Sequence, residues 1–316
     1  MDDTGSPEPV RVAAHAKVNL RLRVLGRGED GYHALETLFL RLALRDEIEI
    51  RRGAPGIRLE VEGEPGPVTG LREPERPLPA GPGNLCWQAA EAYYVALGRD
   101  PGIDLLLRKR LPAGAGLGGG SADAAAVLRG LETLHQGALG GSRLRAIAGR
   151  LGSDVPFHLA DTAAALGWER GRRLLPLPAP VPRPMLVVVP GFRLATPEAY
   201  AWLDEERAGP RHAEGGAGAG APAEAAFVLP PAGRLARWEE LAELAVNDFE
   251  VPVFARHPEL RGLKEALGAA GARPALLAGS GSALFGVFAD EEARDAGAAG
   301  LEADDDVAVI RTRGPV

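Results

Sequence analysis

A glycine-rich stretch, Pro112–Ser121, holds the clearest chemical signal in the sequence. It follows an apolar run, Ile103–Lys109, that predicts a strand, and it precedes an amphipathic segment, Ala122–His135, that predicts a helix. Glycines let a backbone turn with positive φ and approach a ligand closely, and the first N–H groups of a helix are unpaired and positively polarised. This order of elements predicts an anion site suited to phosphate, with Ser121 as helix N-cap or as a hydroxyl facing phosphate or a metal.

Several kinds of phosphate-binding loop have this order of strand, glycine-rich turn and helix, and their sequence motifs distinguish them. The Walker A pattern G-x-x-x-x-G-K-[ST] and the protein-kinase strings V-A-I-K, H-R-D and D-F-G are absent from the sequence. Gly114-x-Gly116-x-x-Gly119 matches a dinucleotide fingerprint, but a Rossmann unit needs a second strand after the helix, and here Gly137–Gly141 and another helical segment follow. A glycine-rich turn without a ligand is the other alternative, although five of the seven residues from 114 to 120 are glycine.

Two further stretches place this loop in a family. Ala14–Leu20 (AHAKVNL) and Ala278–Phe285 (AGSGSALF) resemble the first and third motifs of the GHMP kinases, and Pro112–Ala124 resembles the second. Three motifs in the right order, spanning nearly the whole chain, are more specific than one glycine loop. The resemblance implies an α+β, two-domain fold, with an N-terminal ATP-binding α/β domain, a C-terminal α+β domain and the active site in the cleft between them.

Other strings resemble one branch of this family, whose members phosphorylate a methylerythritol attached to cytidine diphosphate. The most particular is Asp30-Gly31-Tyr32-His33, within Gly26–Phe39 (GRGEDGYHALETLF). The implied activity is ATP-dependent phosphorylation of the 2-hydroxyl, a tertiary alcohol, in the non-mevalonate isoprenoid precursor pathway. Further matching strings are Asn84-Leu85, Lys109–Pro112, Gly152–Phe157, Pro190-Gly191, Thr196–Tyr200 and Asn247–Glu250.

Two features depart from the family pattern. Where the family usually has Ser-Ser-Asn-Ala, this chain has Ser121-Ala122-Asp123-Ala124, which removes a hydroxyl and places an acid near the phosphates. The low-complexity segment Gly209–Ala226, a predicted flexible insertion, is also unusual. The first departure keeps open a nucleotide-binding paralogue without turnover, whereas the Asp30–His33 string and Tyr200 argue against a homoserine, mevalonate or galactose kinase.

The resemblance assigns the chemical step to Lys17 and Asp154. Asp154 would accept the hydroxyl proton, and the Lys17 ammonium would keep that carboxylate ionised and orient the hydroxyl. Phosphoryl transfer otherwise asks the protein for positioning and charge neutralisation. From the residues alone, Asp154 could instead be the N-cap of a helix beginning at Val155-Pro156, and Lys17 a solvated surface lysine.

The resemblance also assigns the substrate side. The rings of Tyr32, His33 and Tyr200 would enclose cytosine, unless both tyrosines are packing residues, and His33 can both donate to and accept from the base edge. Asn19 would hydrogen-bond substrate near the catalytic lysine.

A second glycine turn and the ATP side complete the expected site. The second turn would brace the first loop and meet the substrate diphosphate; its residues are Gly279, Ser280 and Gly281. Mg²⁺ is expected with ATP, but no metal site is assigned. The expected ATP-binding residues are Asn84 on the adenine side, Lys109, Pro112, Gly114, Gly116, Gly118, Gly119, Gly120 and Ser121.

Hydrophobic periodicity predicts the elements that must position these residues. The predicted strands are Glu47–Arg51, Ile57–Val61, Ile103–Lys109, Met185–Val189, Ala283–Phe288 and Val307–Arg311. The predicted helices are Asn84–Leu97, Ala122–His135, Ser142–Leu151, Leu235–Ala245, Glu259–Ala270 and Glu291–Ala303. The proline-rich run Leu175–Pro184 is expected to be irregular and to separate two domains, residues 1–178 and 179–316.

Composition bounds the class of protein. A chain of 316 residues with 46% hydrophobic residues is long enough for two domains with real cores. The net charge of −7 gives no reason to expect nucleic acid or an anionic membrane as partner. The single cysteine, Cys86, excludes an intramolecular disulfide and a cysteine-based zinc site. With no signal-like N-terminus and no apolar run of about 18 residues, we expect a cytoplasmic protein acting on a small molecule.

Overall fold

The computed structural model describes residues 8–28, 33–63, 78–169, 173–208, 231–302, 304 and 306–316. Tyr32, predicted to contact cytosine, lies outside the described residues together with Asp30 and Gly31. The predicted insertion Gly209–Ala226 also lies outside them.

The larger sheet of the described chain is built on two long antiparallel strands. Its strands are β1 (Val10–Arg27), β2 (His33–Arg52), β3 (Gly56–Gly63), β4 (Gly102–Lys109), β5 (Ala164–Trp168), β6 (Arg173–Pro176) and, later in the chain, β8 (Val246–Asn247). Their order is β3-β4-β2-β1-β8, with β5 paired to β2 and β6 paired to β5. Four helices belong to this half: α1 (Leu85–Leu97), α2 (Gly119–Leu134), α3 (Gly140–Leu151) and α4 (Val155–Leu159).

The smaller sheet lies in the second half of the chain. It has the order β11-β7-β10-β9, and its described strands are β7 (Arg183–Pro190), β9 (Ala275–Leu277), β10 (Leu284–Val287) and β11 (Val307–Gly314). The helices around it are α5 (Thr196–Ala208), α6 (Ala232–Leu235), α7 (Trp238–Glu243), α8 (Glu250–Arg256), α9 (Pro258–Ala269) and α10 (Glu291–Leu301).

Register shifts in β1 decide which side chains face the site. The β1–β2 pairing slips between His15 and Lys17 and again between Asn19 and Arg21. Ala14 packs in the core beneath α1 and α2, whereas Ala16 packs in a second core with the smaller sheet. Because side chains alternate strictly in a regular strand, two even-numbered residues reach different cores only through the irregularity between them. The bulge therefore turns Lys17 toward the helices.

Most predicted elements are confirmed, with their bounds shifted by a few residues. The helix predicted from Ala122 begins earlier, at Gly119, because its N-cap is Gly118. The single helix predicted at Leu235–Ala245 is wrong: the chain is extended at Arg237, between α6 and α7.

The proline-rich run is irregular only in its middle. Leu175 and Pro176 end β6, which pairs with β5 alone among the described strands, and an edge strand tolerates proline because one side needs no N–H donors. At the other end of the run, Pro184 lies in β7. The division of the chain at residue 178 stays a prediction.

None of the helices in the described ranges combines the length and the apolar character needed to cross a membrane.

Candidate active site

Three glycines turn the chain from β4 into α2. Gly114, Gly116 and Gly118 have φ of 76°, 89° and 72°, in the left-handed region that favours glycine. The helix starts immediately afterwards, so its unpaired N–H groups and positive dipole end face the loop. Ser121 is the third residue of the helix, so its predicted N-cap position is wrong, since Gly118 takes that place. The hydroxyl of Ser121 lines the pocket described below.

The third motif lies directly against this loop. A Cβ on Gly116 would sit 2.0 Å from the carbonyl oxygen of Ala278, and one on Gly281 would sit 2.5 Å from the backbone of Ala115. The N–H of Ala283 donates to the carbonyl of Ala115 at 3.2 Å. Backbone therefore packs on backbone where the two turns meet, and only glycine leaves enough room.

Asn247 holds the third motif from the other side. Its side-chain amide donates to the carbonyls of Leu277 at 2.9 Å and Gly279 at 2.7 Å, and its oxygen accepts from the N–H of Phe249. The Asn247–Glu250 string was matched in the sequence without a role. In the structure it fixes the turn that carries Gly279 and Ser280.

Lys17 is buried, which excludes the surface-lysine alternative; its residue exposure is 4%. Its Nζ donates to Oδ1 of Asn19 at 2.7 Å and to the carbonyl of Gly116 at 3.0 Å. Asn19 in turn donates to Oγ1 of Thr37 at 2.7 Å. A buried ammonium needs acceptors around it, and this network supplies them while orienting the amine.

Asp154 lies opposite this amine. It occupies the N-cap position of α4, as the alternative from the sequence had it, yet its side chain makes no capping hydrogen bond. Instead its Oδ2 lies 3.3 Å from Nζ of Lys17, and the carboxylate keeps 30% exposure. The carboxylate is therefore paired on one side and open on the other.

A pocket of about 460 Å³ opens at this pair. It joins residues from β1, β2, α2, α5 and the third motif. Of the predicted site residues it gathers Lys17, Asn19, His33, Ser121, Asp154, Tyr200, Gly279 and Ser280. Its wall also contains residues that were not predicted from the sequence: Leu22, Leu35, Thr37, Phe39, Ser153, Thr196, Pro197 and Phe249.

One wall of the pocket is aromatic. The His33 ring stacks on Tyr200 with centroids 4.9 Å apart, and Tyr200 meets Phe249 edge-to-face. Burial, with a smaller contribution from the Asp154 charge, raises the pKa of Tyr200 to about 12, so its hydroxyl stays protonated. Across the mouth, Oγ1 of Thr196 lies 3.1 Å from Oγ of Ser280 and links α5 to the third motif.

Lys109 lies beneath the glycine loop between two buried carboxylates. Its Nζ pairs with Asp46 and lies 2.9 Å from Oδ2 of Asp123. Asp46 also accepts from the N–H groups of Arg110 and Leu111, at the end of β4. Asp123, the departure noted in the sequence, therefore points inward to a cation; burial raises the pKa of its carboxyl, and the neighbouring Lys109 ammonium opposes that rise.

The other predicted ATP-side residues surround the loop outside the pocket wall. Asn84 is the N-cap of α1: its Oδ1 accepts from the N–H of Cys86 at 2.9 Å, and its amide donates to the carbonyl of Pro79. Pro112 lies at the start of the glycine turn and Gly120 in the first turn of α2.

A buried histidine near the Lys17–Asp154 pair was not predicted from the sequence. His158 lies in α4, one turn after Asp154. Its Nε2 would lie 2.8 Å from a Cβ on Gly118. Burial lowers the pKa of His158 to about 3, so the ring is neutral at ordinary pH. Its position inside the apolar run Val155–Leu159 was the available signal.

No cluster of three or more His, Cys, Asp or Glu side chains that could hold a metal ion occurs in the described part of the chain. The carboxylates nearest the loop, Asp46 and Asp123, both pair with Lys109, and Oδ1 of Asp123 is buried without a hydrogen-bond partner among the described residues.

Both halves of the chain match known families. The pattern described as the GHMP kinases N terminal domain matches residues 84–167, and that of the GHMP kinases C terminal domain matches residues 225–304. A homoserine kinase from Cytophaga hutchinsonii has a similar structure, with a TM-score of 0.64 over 99% of this chain and 96% of its own, at 16% identity. That likeness confirms the predicted fold, and the patterns and fold together define the class, the GHMP kinases.

Two closer matches go further. A protein from Geobacter sp. (strain M21) named 4-diphosphocytidyl-2-C-methyl-D-erythritol kinase is 39% identical over 93% of this chain and 94% of its own. A crystal structure of 4-(cytidine 5'-diphospho)-2C-methyl-D-erythritol kinase matches with a TM-score of 0.71 and 35% identity, over 96% of this chain and 98% of that one. The chain belongs to the 4-diphosphocytidyl-2-C-methyl-D-erythritol kinase family of GHMP kinases.

Proposed function

We propose that this protein transfers the γ-phosphoryl group of ATP to the 2-hydroxyl of 4-diphosphocytidyl-2-C-methyl-D-erythritol, with Asp154 as base and Lys17 as its partner. The family membership supports the reaction. The observation that supports the residue roles is the Lys17–Asp154 pair, 3.3 Å apart, at a pocket between the glycine loop and the His33–Tyr200 stack.

The chemical step uses the open side of Asp154. Its carboxylate takes the proton of the 2-hydroxyl as the hydroxyl oxygen bonds to the γ-phosphorus, and the bond from that phosphorus to the bridging oxygen breaks. ADP leaves with the electron pair of that bond. The Lys17 ammonium, held by Asn19 and the Gly116 carbonyl, orients the Asp154 carboxylate and balances charge that gathers on the transferred group.

The phosphates of ATP lie at the N-terminus of α2 in this proposal. The N–H groups of Gly118, Gly119 and Gly120 have no partner within the helix and can donate there, and the Ser121 hydroxyl can contact a phosphate oxygen or Mg²⁺. Magnesium, when bound with ATP, neutralises phosphate charge. The contacts of Lys109 with Asp46 and Asp123 indicate that it supports the shape of the glycine loop. Asn84 orders the start of α1 beside the nucleotide.

The substrate occupies the other end of the pocket. The cytosine stacks at the His33–Tyr200 wall, with Tyr32 as a further ring, while Asn19 and the turn Gly279–Gly281 meet the polar remainder. We place the enzyme in the cytoplasm, where ATP is supplied and the buried Cys86 thiol stays reduced.

The alternatives are a GHMP kinase with another alcohol acceptor and a nucleotide-binding protein without turnover. The second drew on Asp123 as an acid among phosphates, and the ion pair of Asp123 with Lys109 removes that reason.

The test measures ADP release from ATP and Mg²⁺ with 4-diphosphocytidyl-2-C-methyl-D-erythritol, homoserine or mevalonate as acceptor. We expect ADP with the first acceptor only, and only background release by the Asp154→Asn variant. ADP with homoserine or mevalonate alone would overturn the proposed substrate. ATP binding without turnover of any acceptor would overturn the proposed enzyme.

A further inference from the structure

His33 is held by two side chains that lie one turn apart on α5. The ring stacks on Tyr200 with planes 27° apart, and its Nε2 lies 2.8 Å from Oδ1 of Asp204. The stack fixes the plane of the imidazole, and the carboxylate fixes its rotation within that plane. The His33 side chain is only 11% exposed, so the ring has little freedom to leave its contacts with Tyr200 and Asp204.

The hydrogen bond to Asp204 also decides which ring nitrogen of His33 carries the proton. An ionised carboxylate only accepts hydrogen bonds, so Nε2 of His33 must donate to Asp204, and in the neutral imidazole Nδ1 then keeps a free lone pair. Within the described part of the chain, Nδ1 has no hydrogen-bond partner and is not among the buried atoms left without one. His33 lines the pocket, so its ring lies within reach of a ligand bound there.

We infer that Asp204 is a positioning residue that sets base specificity: it holds Nε2–H of His33 and thereby presents Nδ1 to the pocket as an acceptor for an amino group. The inference rests on the proposed cytidine substrate. Cytosine carries an amino group at C4, whereas uracil carries a carbonyl oxygen there. A lone pair at Nδ1 pairs with the first and repels the second.

The cost of the wrong base follows from this arrangement. With uracil, two acceptors face each other in a half-buried site, and neither is hydrogen-bonded. Sites built to hydrogen-bond one polar group discriminate strongly against an analogue that cannot make the bond. Asp204 never touches the base itself, so its removal should relax this discrimination without slowing the chemical step.

The first test compares turnover of the cytidine substrate and of its uridine analogue. In Asp204→Asn the amide can accept from or donate to Nε2, so both tautomers of His33 become populated. We expect the preference for cytidine, as a ratio of kcat/KM values, to fall about tenfold or more, with KM for cytidine raised and kcat within about twofold. Asp204→Ala should show the same loss.

The matched control is Glu205→Gln. It removes an equal charge at the next position, where Glu205 pairs with Arg256 and not with His33. Its cytidine preference should equal that of the wild type. A similar loss of preference in this variant would overturn the inference, because charge alone would then explain the effect.

A second test reads the tautomer directly from the ¹⁵N resonances of the His33 ring, assigned with His33→Gln. We expect a proton on Nε2 alone in the wild type and a mixture in Asp204→Asn. A proton on Nδ1 in the wild type, or unchanged base preference in both Asp204 variants, would overturn the inference. If the wild type turns over neither substrate, the proposed function fails, and the tautomers still decide whether Asp204 sets the proton position.

Discussion

Nζ of Lys17 lies 3.3 Å from Oδ2 of Asp154, with the lysine side chain 5% exposed and the aspartate side chain 30% exposed. The difference in exposure indicates different roles for the two side chains. The ammonium is enclosed by hydrogen-bond acceptors, while the carboxylate keeps one face open to the pocket. A group that must receive a proton needs such access, and its partner does not.

Replacing Asp154 by Asn tests its role as the proton acceptor. The amide keeps the shape of the side chain but cannot take the hydroxyl proton, so we expect kcat to fall by about 10²–10⁴-fold. ATP affinity, measured by titration calorimetry, should change little, because the glycine loop is untouched. Asp161→Asn, an exposed acid beyond the end of α4, serves as control and should keep wild-type kcat. Equal losses in both variants would contradict the role of Asp154.

Two glycines of the loop give a matched pair of substitutions. Gly114 and Gly116 both have positive φ, but a Cβ on Gly114 meets only the flexible side chain of Arg193 at 3.4 Å, whereas one on Gly116 meets the Ala278 carbonyl at 2.0 Å. Gly114→Ala should cost about 1–2 kcal/mol of unfolding free energy from backbone strain. Gly116→Ala should cost about 1–3 kcal/mol more, from the clash.

Urea unfolding of the two variants measures this difference directly. The Gly116→Ala variant should also show a raised KM for ATP, because the clash pushes the two turns apart. Equal destabilisation by both substitutions would show that the third motif does not constrain the loop.

Lys109 is the only described cation within the Asp46–Asp123 pair, so its loss leaves two buried carboxylates without a counter-charge. Lys109→Met should lower the unfolding free energy by about 3–5 kcal/mol. Adding Asp123→Asn should restore part of that loss, since one charge fewer is left unpaired. Arg58→Met, on the neighbouring strand β3 with a side chain that is 61% exposed, should cost little. Thermal or urea unfolding measures these variants together with Asp123→Asn alone, and additive effects of the Lys109 and Asp123 substitutions would contradict the pairing.

His158 makes stability depend on pH. Its pKa is about 3 in the folded protein against an ordinary value of 6.5, so above pH 6.5 neither folded nor unfolded chains bind the proton. As pH falls below 6.5, the unfolded chain binds a proton that the folded chain refuses, and stability declines until about pH 3. At pH 5 the loss from this group is about 2 kcal/mol relative to neutral pH.

The His158→Phe variant isolates this effect, because phenylalanine fills a similar volume and binds no proton. Its unfolding free energy should fall less than that of the wild type between pH 7.5 and pH 5, by about 2 kcal/mol. Parallel pH profiles for the two proteins would contradict the low pKa of His158.

Local patterns accounted for the helices and for the short apolar strands. Apolar spacing placed α1, α3, α9 and α10 within a few residues of their observed bounds, and the glycines located the turn before α2. β1 was not predicted, although its motif was noticed. Its buried positions include Lys17 and Asn19, so the strand shows no clean alternation of polar and apolar residues.

By itself, the sequence determined the family, the glycine turn and the residue types available for chemistry, because these depend on local spacing and on motif order. Only the tertiary structure decided where the charges go. Lys17 pairs with Asp154 and His33 meets Asp204, in both cases between segments far apart in the chain, while Asp123 turns inward to Lys109 across the glycine loop. Such pairings follow from strand register and helix packing, which no single stretch of sequence encodes, and they are what make this loop part of a catalytic site.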